Sequence, residues 1–166
     1  MDRVCFDFEV TDCEPLLDTG GRYFEQVEVD TSIEGKFHLQ LGEVQKTFDE
    51  TALLMVSTDL IRVTWHIMTF RSLVPPGRVI IPDYDPHIEI VLSNENSFLI
   101  SLMMHSAVIA QSTCGLLSFT RKIGDFHEAL LRVFFKENPH ALTNWPLLRA
   151  YPGAIALAHE LRENST

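Results

Sequence analysis

Strict alternation near the start of the chain limits the fold most. Val4, Phe6, Phe8 and Val10 alternate with Cys5, Asp7 and Glu9. Successive side chains of an extended strand point to opposite faces, so the pattern predicts a half-buried β-strand. Val27 and Val29, set among Gln26, Glu28 and Asp30, predict a second strand. Phe37, Leu39 and Leu41, alternating with His38 and Gln40, predict a third. If the three share a sheet, one face is apolar and the other presents Asp7, Glu9, Glu28 and Asp30.

Later segments extend this reading. Thr19-Gly20-Gly21 and Glu34-Gly35 are turn signals between the first three strands. Residues 60–70 are rich in β-branched and aromatic side chains and read as a long strand. Ile61, Val63, Trp65 and Ile67 would share one of its faces, and Pro75-Pro76-Gly77 would stop it. Residues 78–81 and 87–92 read as short strands. The apolar run 98–111 reads as a strand pair, with one buried helix as the alternative, and 116–123 reads as a further strand.

The end of the chain changes character. Asp125 is placed to cap a helix, and Glu128 completes a capping-box arrangement. Phe126, Leu130, Val133 and Phe134 recur at helical spacing, and Asn138-Pro139 closes the segment. A short helix over 144–150 carries Pro146 in its first turn, and a terminal helix covers 154–163. The expected fold is one α+β domain over 1–166, β-rich to residue 123 and helical from 124. It holds a mostly antiparallel sheet of six to eight strands, with the C-terminal helices on one face or edge.

Charge narrows the function classes. The chain carries 23 acids and 13 bases, a formal charge of -10. Thirteen of those acids and only four bases lie in residues 1–50, which therefore hold nine of the ten excess negative charges. Unaided nucleic-acid binding needs clustered Lys and Arg, so it is not expected. No apolar run is long enough to span a bilayer, and the N-terminal residues show no signal-peptide pattern. Three cysteines without a CxxC pair fit a reducing, cytoplasmic compartment better than a disulfide framework. An acidic sheet face is tolerated most easily when solvent screens it, as a plain solvated surface, or when a basic protein partner neutralises it; a basic partner is the expectation. Trp145 and Tyr151, beside Pro146 and Pro152, are candidate interface anchors.

Chemistry-bearing motifs are sparse. Asp83, Asp85, His87 and Glu89 alternate as an extended metal-binding or acid–base edge would, but Pro82 and Pro86 interrupt the strand. His38 and His66 fall on the polar faces of their predicted strands, where solvated histidines are the default. His105 reads as a core histidine, and Cys114-Gly115 as apolar filler rather than a nucleophile. No phosphate loop, GxSxG or HExxH is present. Neither a catalytic residue, a cofactor nor a bound metal is expected.

Small size, the face carrying Asp7, Glu9, Glu28 and Asp30, and the helical stretch from Asp125 to Phe135 together resemble bacterial immunity proteins. The likeness is strongest to those accompanying contact-dependent growth-inhibition toxins. It implies a cytoplasmic, monomeric, non-catalytic inhibitor that occludes a basic, nuclease-like toxin domain. An acidic secretion chaperone, or a small enzyme or ligand-binding domain using residues 83–89, are the alternatives.

Overall fold

In the computed structural model, residues 3–20, 24–70, 76–81 and 86–165 are described. Among these residues, two antiparallel sheets and five α-helices make an α+β fold. The first sheet has three strands in the order β1 (Val4–Cys13), β2 (Ile33–Leu41) and β3 (Val44–Ala52). The alternation of β1 and β2 holds. Phe37, Leu39 and Leu41 are buried, while Asp7 and Glu9 stand in solvent. The second sheet runs β4 (Gly77–Ile80), β5 (His87–Asn94), β6 (Ser97–Met104) and β7 (Ala107–Gly115). Residues 98–111 are therefore a hairpin, as the flanking strands indicated.

Three segments read as strands are helices. Residues Gln26–Asp30 form α1. Residues two apart lie about 200° apart on a helix, so Val27 and Val29 cannot share a face there. Val29 is buried and Val27 is 68% exposed. The Thr31 hydroxyl donates to the Val27 carbonyl and the Ser32 hydroxyl to the Val29 carbonyl, closing this turn.

Residues Leu53–Phe70 form α2. Its buried stripe is Leu53, Ser57, Leu60, Thr64 and Ile67, at helical spacing. Two of those five are polar, which masks the stripe in the sequence. Burial of the whole stripe outweighs the strand preference of Ile61, Val63 and Ile67. Trp65, expected beside Ile67, is 71% exposed on the opposite side.

Residues Leu116–Glu137 form one continuous helix, α3, so 116–123 is not a strand and Asp125 is not a cap. Phe119, Ile123, Phe126, Leu130 and Phe134 make its buried stripe. Gly124 lies mid-helix in open space, where it costs about 1 kcal/mol of helix propensity without ending the helix. The predicted stop holds, because Asn138 follows as the C-cap residue.

Pro139–Thr143 is a 3-10 turn. In α4 (Trp145–Ala150), Asn144 Oδ1 accepts from the Leu147 amide at 3.1 Å, the cap this segment requires. Gly153, at φ 74°, leads into α5 (Ala154–Asn164). Helix α2 packs on β2, β4 and β5, α3 packs on β1, β6 and β7, and the two helices pack on each other. The buried side chains form one connected core between these helices and the inner faces of both sheets. No helix among the described residues is long and apolar enough to cross a membrane.

Candidate protein-binding surfaces

The outer face of the three-stranded sheet is the principal charged surface. Register sets Asp7 opposite His38, Glu9 opposite Lys36, and Asp12 opposite Glu34. Alternation alone would turn Asp12 inward with Val10. The register shift between Val10 and Asp12 adds a residue to β1 and turns Asp12 to the side of Glu9. Four carboxylates thus surround one lysine, and Asp12 and Glu34 directly face each other. Like charges in that position destabilise the pair unless solvent or a cationic partner screens them. Helices α2 and α3 pack on the other side of this sheet, leaving the acids exposed.

The expected membership of this surface is partly corrected. Asp7 and Glu9 occupy it. Glu28 and Asp30 do not, because α1 replaces the predicted strand; Asp12 and Glu34 stand on the face instead. Glu34-Gly35 is not a hairpin either, since both residues lie within β2. The β2–β3 turn is at Gly42 and Glu43, with Gly42 at φ 62°. Asp30 is engaged elsewhere, because the Tyr151 hydroxyl donates to its Oδ1 at 2.5 Å. Tyr151 is only 3% exposed, so it fastens α1 to the α4–α5 junction and is no interface anchor. Trp145 is half exposed, with the Arg162 guanidinium 5.9 Å from its ring centroid.

The remaining sequence candidates do not converge. His66 lies on α2 with its ring against Phe70, while His38 lies on β2 with Nδ1 2.8 Å from Thr47 Oγ1. His105 is exposed, not core. It occupies the β6–β7 turn with Ser106, both at positive φ. Cys114 is buried in β7, and Cys5, Cys13 and Cys114 form no disulfide. Burial, then Glu137 and Asp12, push the Cys13 thiol above its ordinary range. His87 and Glu89 share the outer face of β5, with Nε2 3.7 Å from Oε2. Asp83 and Asp85 lie outside the described residues. Among the described residues no group of His, Cys, Asp and Glu is placed to hold a metal.

One polar cluster was invisible in the sequence. His127 Nε2 lies 3.0 Å from the Pro152 carbonyl, and Nδ1 lies 2.9 Å from Ser57 Oγ. A carbonyl can only accept, so Nε2 carries the proton; the Ser57 hydroxyl, which also donates to the Leu54 carbonyl at 3.1 Å, lies between that carbonyl and Nδ1. The pair superficially looks like a nucleophile and its base. Ser57, however, has no exposed surface, and both imidazole nitrogens are engaged. Its evident role is to tie α2, α3 and the α4–α5 junction together. Beside it, α2, α3 and α5 border a groove of about 630 Å³ that includes Ile61, Trp65, Met68 and Leu131.

Burial holds the His127 pKa below its ordinary 6.5; the Pro152 hydrogen bond opposes that and Arg62 adds to it. The unfolded chain therefore takes up a proton near pH 6.5 that the folded chain resists. Stability contributed by the neutral imidazole is fully present above 6.5 and is lost as pH falls below it. In urea unfolding between pH 8 and 5, the stability difference between wild type and His127→Gln should shrink. Its slope should approach, at most, about 1.4 kcal/mol per pH unit. A difference independent of pH would show that His127 protonates freely in the folded protein.

No family model matches the chain, and neither a curated protein nor a solved structure does. What these surfaces can bind follows from their own charge and shape.

Proposed function

We propose that this chain is a non-catalytic protein-binding inhibitor that engages a basic partner through the outer face of its three-stranded sheet. Within that class we propose an immunity protein that covers the substrate groove of a nuclease-like toxin domain in the cytoplasm. The observation that carries the proposal is the uncovered set Asp7, Glu9, Asp12 and Glu34 around Lys36. A toxin that binds nucleic acid presents Lys and Arg for phosphates, and the same cations pair with these carboxylates. Complementary charge of this kind speeds encounter and rejects wrong partners, while a few packed side chains supply most of the affinity. Trp65 and Trp145 are exposed aromatics among the described residues, carried by α2 and α4 rather than by the sheet that bears the acids. Inhibition then requires occlusion and no bond chemistry.

The direct test is capture from lysate of the source cells on immobilised wild type and on Asp12→Lys/Glu34→Lys, eluted with stepped salt. Wild type should retain one basic polypeptide that leaves only at high salt, and the double variant should lose it. The association rate of the purified pair should fall at least about ten-fold on charge reversal at low salt, with a flatter salt dependence. Equal retention by both proteins would remove this face from the binding site. Capture of nothing basic would remove the inhibitor reading.

A further inference from the structure

The three-stranded sheet ends at β1, and no strand among the described residues covers that edge. In an antiparallel pair, residues alternate between turning their N–H and C=O groups toward the partner strand and away from it. The Gly42 N–H donates to the Arg3 carbonyl at 2.9 Å, so Arg3 faces β2, and by register so do Cys5, Asp7 and Glu9. Val4, Phe6, Phe8 and Val10 therefore turn their peptide groups to the free edge. Two contacts made outside the ladder agree. The Lys122 ammonium donates to the Val4 carbonyl at 2.5 Å, and the Phe8 N–H donates to Asp7 Oδ1 at 2.8 Å. Between these two caps the Phe6 N–H has no partner among the described residues, and its carbonyl has only the Cys5 thiol, at 4.0 Å.

A groove of about 590 Å³ runs along this edge between β1 and α3. Phe6, Phe8, Phe126 and Ala129 line it, with Lys122 and Asp125 beside them. Phe6 and Phe8 are half-buried, and their ring centroids lie 6.1 and 5.7 Å from that of Phe126. Peptide groups left open at every second residue select a peptide backbone in extended form, which offers its own groups at the same spacing of about 6.8 Å. The two faces of the edge then select side chains. Every second side chain of an added strand would stand beside Asp7 and Glu9 on the outer face, about 5 Å away, where opposite charge is favoured. The cations already at the groove are engaged, Lys122 by the Val4 carbonyl and Arg3 by Glu43. Asp7, Glu9 and Asp125 form no ion pair among the described residues. The intervening side chains would fall toward Phe6, Phe8 and Phe126, which favours apolar groups.

We propose that the partner docks by adding an extended segment of alternating basic and apolar residues to the β1 edge, as a fourth strand of this sheet. The inference rests on the basic partner of the proposed function and specifies how that partner is gripped. An incoming carbonyl takes over the Phe8 N–H, which frees the Asp7 carboxylate for an incoming cation. Main-chain hydrogen bonds hold the segment, and its alternation sets the register.

The probe is a short peptide of alternating lysine and valine, acetylated and amidated at its ends and titrated calorimetrically into the full chain at low salt. It should bind, and the Phe6 amide should exchange with solvent at least about ten-fold more slowly in the complex. Two isomers of the peptide, N-methylated at every valine or at every lysine, carry the same charge. One set of amides faces β1 and the other faces away, so one isomer should bind at least about ten-fold more weakly than the other. Loss with methylated valines indicates antiparallel addition, and loss with methylated lysines parallel addition. The peptide with glutamate in place of lysine should not bind. Equal affinity of the two isomers overturns the proposal, as does equal binding of the glutamate peptide or no binding of the lysine peptide. Ala129→Arg, with an unchanged thermal midpoint, should fill the groove and lose both the peptide and the basic polypeptide that wild type captures. Capture that survives Ala129→Arg but not Asp12→Lys/Glu34→Lys overturns this inference and leaves the proposed function standing. A wild type that binds one isomer only and captures no basic polypeptide keeps the edge as a strand-binding site and removes the inhibitor reading.

Discussion

Gly35→Ala is expected to lose about 3 kcal/mol or more of folding stability, at or beyond the upper end of ordinary overpacking costs. A Cβ on Gly35 would lie 2.0 Å from the Glu9 carbonyl oxygen and 2.9 Å from Leu53 Cδ1. The leucine end can rotate away. The carbonyl belongs to β1, whose register with β2 is fixed on both sides of the contact, at Glu9–Lys36 and Val10–Gly35. Relief therefore requires parting two strands, and single domains have only about 5–15 kcal/mol in total. Urea unfolding followed by circular dichroism should show a much lower midpoint. Gly124→Ala is the control, because nothing lies within 4 Å of its added methyl and a helix interior prefers alanine by up to about 1 kcal/mol. If Gly35→Ala unfolded at the wild-type midpoint, the β1–β2 contact at Glu9 would be wrong.

That glycine also shows where sequence reading stops. Glu34-Gly35 and Gly42-Glu43 both put a glycine beside a glutamate among apolar residues. At Gly42 the reason is a positive φ; at Gly35 it is a backbone passing too close for any side chain. The letters alone do not separate the two causes. Strands β1 and β2 were legible, because their apolar residues alternate over several positions, whereas the apolar run 98–111 does not alternate and is legible as a strand pair only from the strands that flank it. The closing helices were legible from Asn144, Pro146 and the Asn138-Pro139 stop. Helix α2 was not, because Ser57 and Thr64 interrupt its buried stripe while β-branched neighbours imitate a strand. Helix α1 was not, because two valines in a five-residue turn leave too short a window for any period.

The same limits apply to the surfaces. Asp7 and Glu9 could be assigned from alternation, but Asp12 reaches that face through a register shift that no periodicity reveals. Glu28 and Asp30 were misassigned together with their strand. The Ser57–His127 contact joins positions 70 residues apart. Its only trace in the sequence is a histidine inside an apolar helical stripe.

The Phe37 ring separates damage to the fold from damage to binding. It lies 5.7 Å from Phe126, 6.1 Å from Phe48 and 6.3 Å from Phe6 between ring centroids. One side chain thus joins β1, β2, β3 and α3, and it is fully buried. Phe37→Ala should cost about 3–5 kcal/mol, through lost transfer energy and a cavity the sheet cannot close. The thermal midpoint should fall accordingly, and a Phe37→Ala chain as stable as wild type would place this ring outside the core. The opposite face of β2 carries Glu34 and Lys36, so loosening the strand also disturbs the acidic surface. Phe37→Ala should therefore lose stability and partner binding together, and a temperature low enough to restore folding should restore binding. Glu34→Lys removes one of two facing carboxylates, so its stability should match or slightly exceed wild type while binding is lost. Recovery on cooling for one variant and not for the other assigns the acids to recognition and the aromatic cluster to the fold that holds them in place.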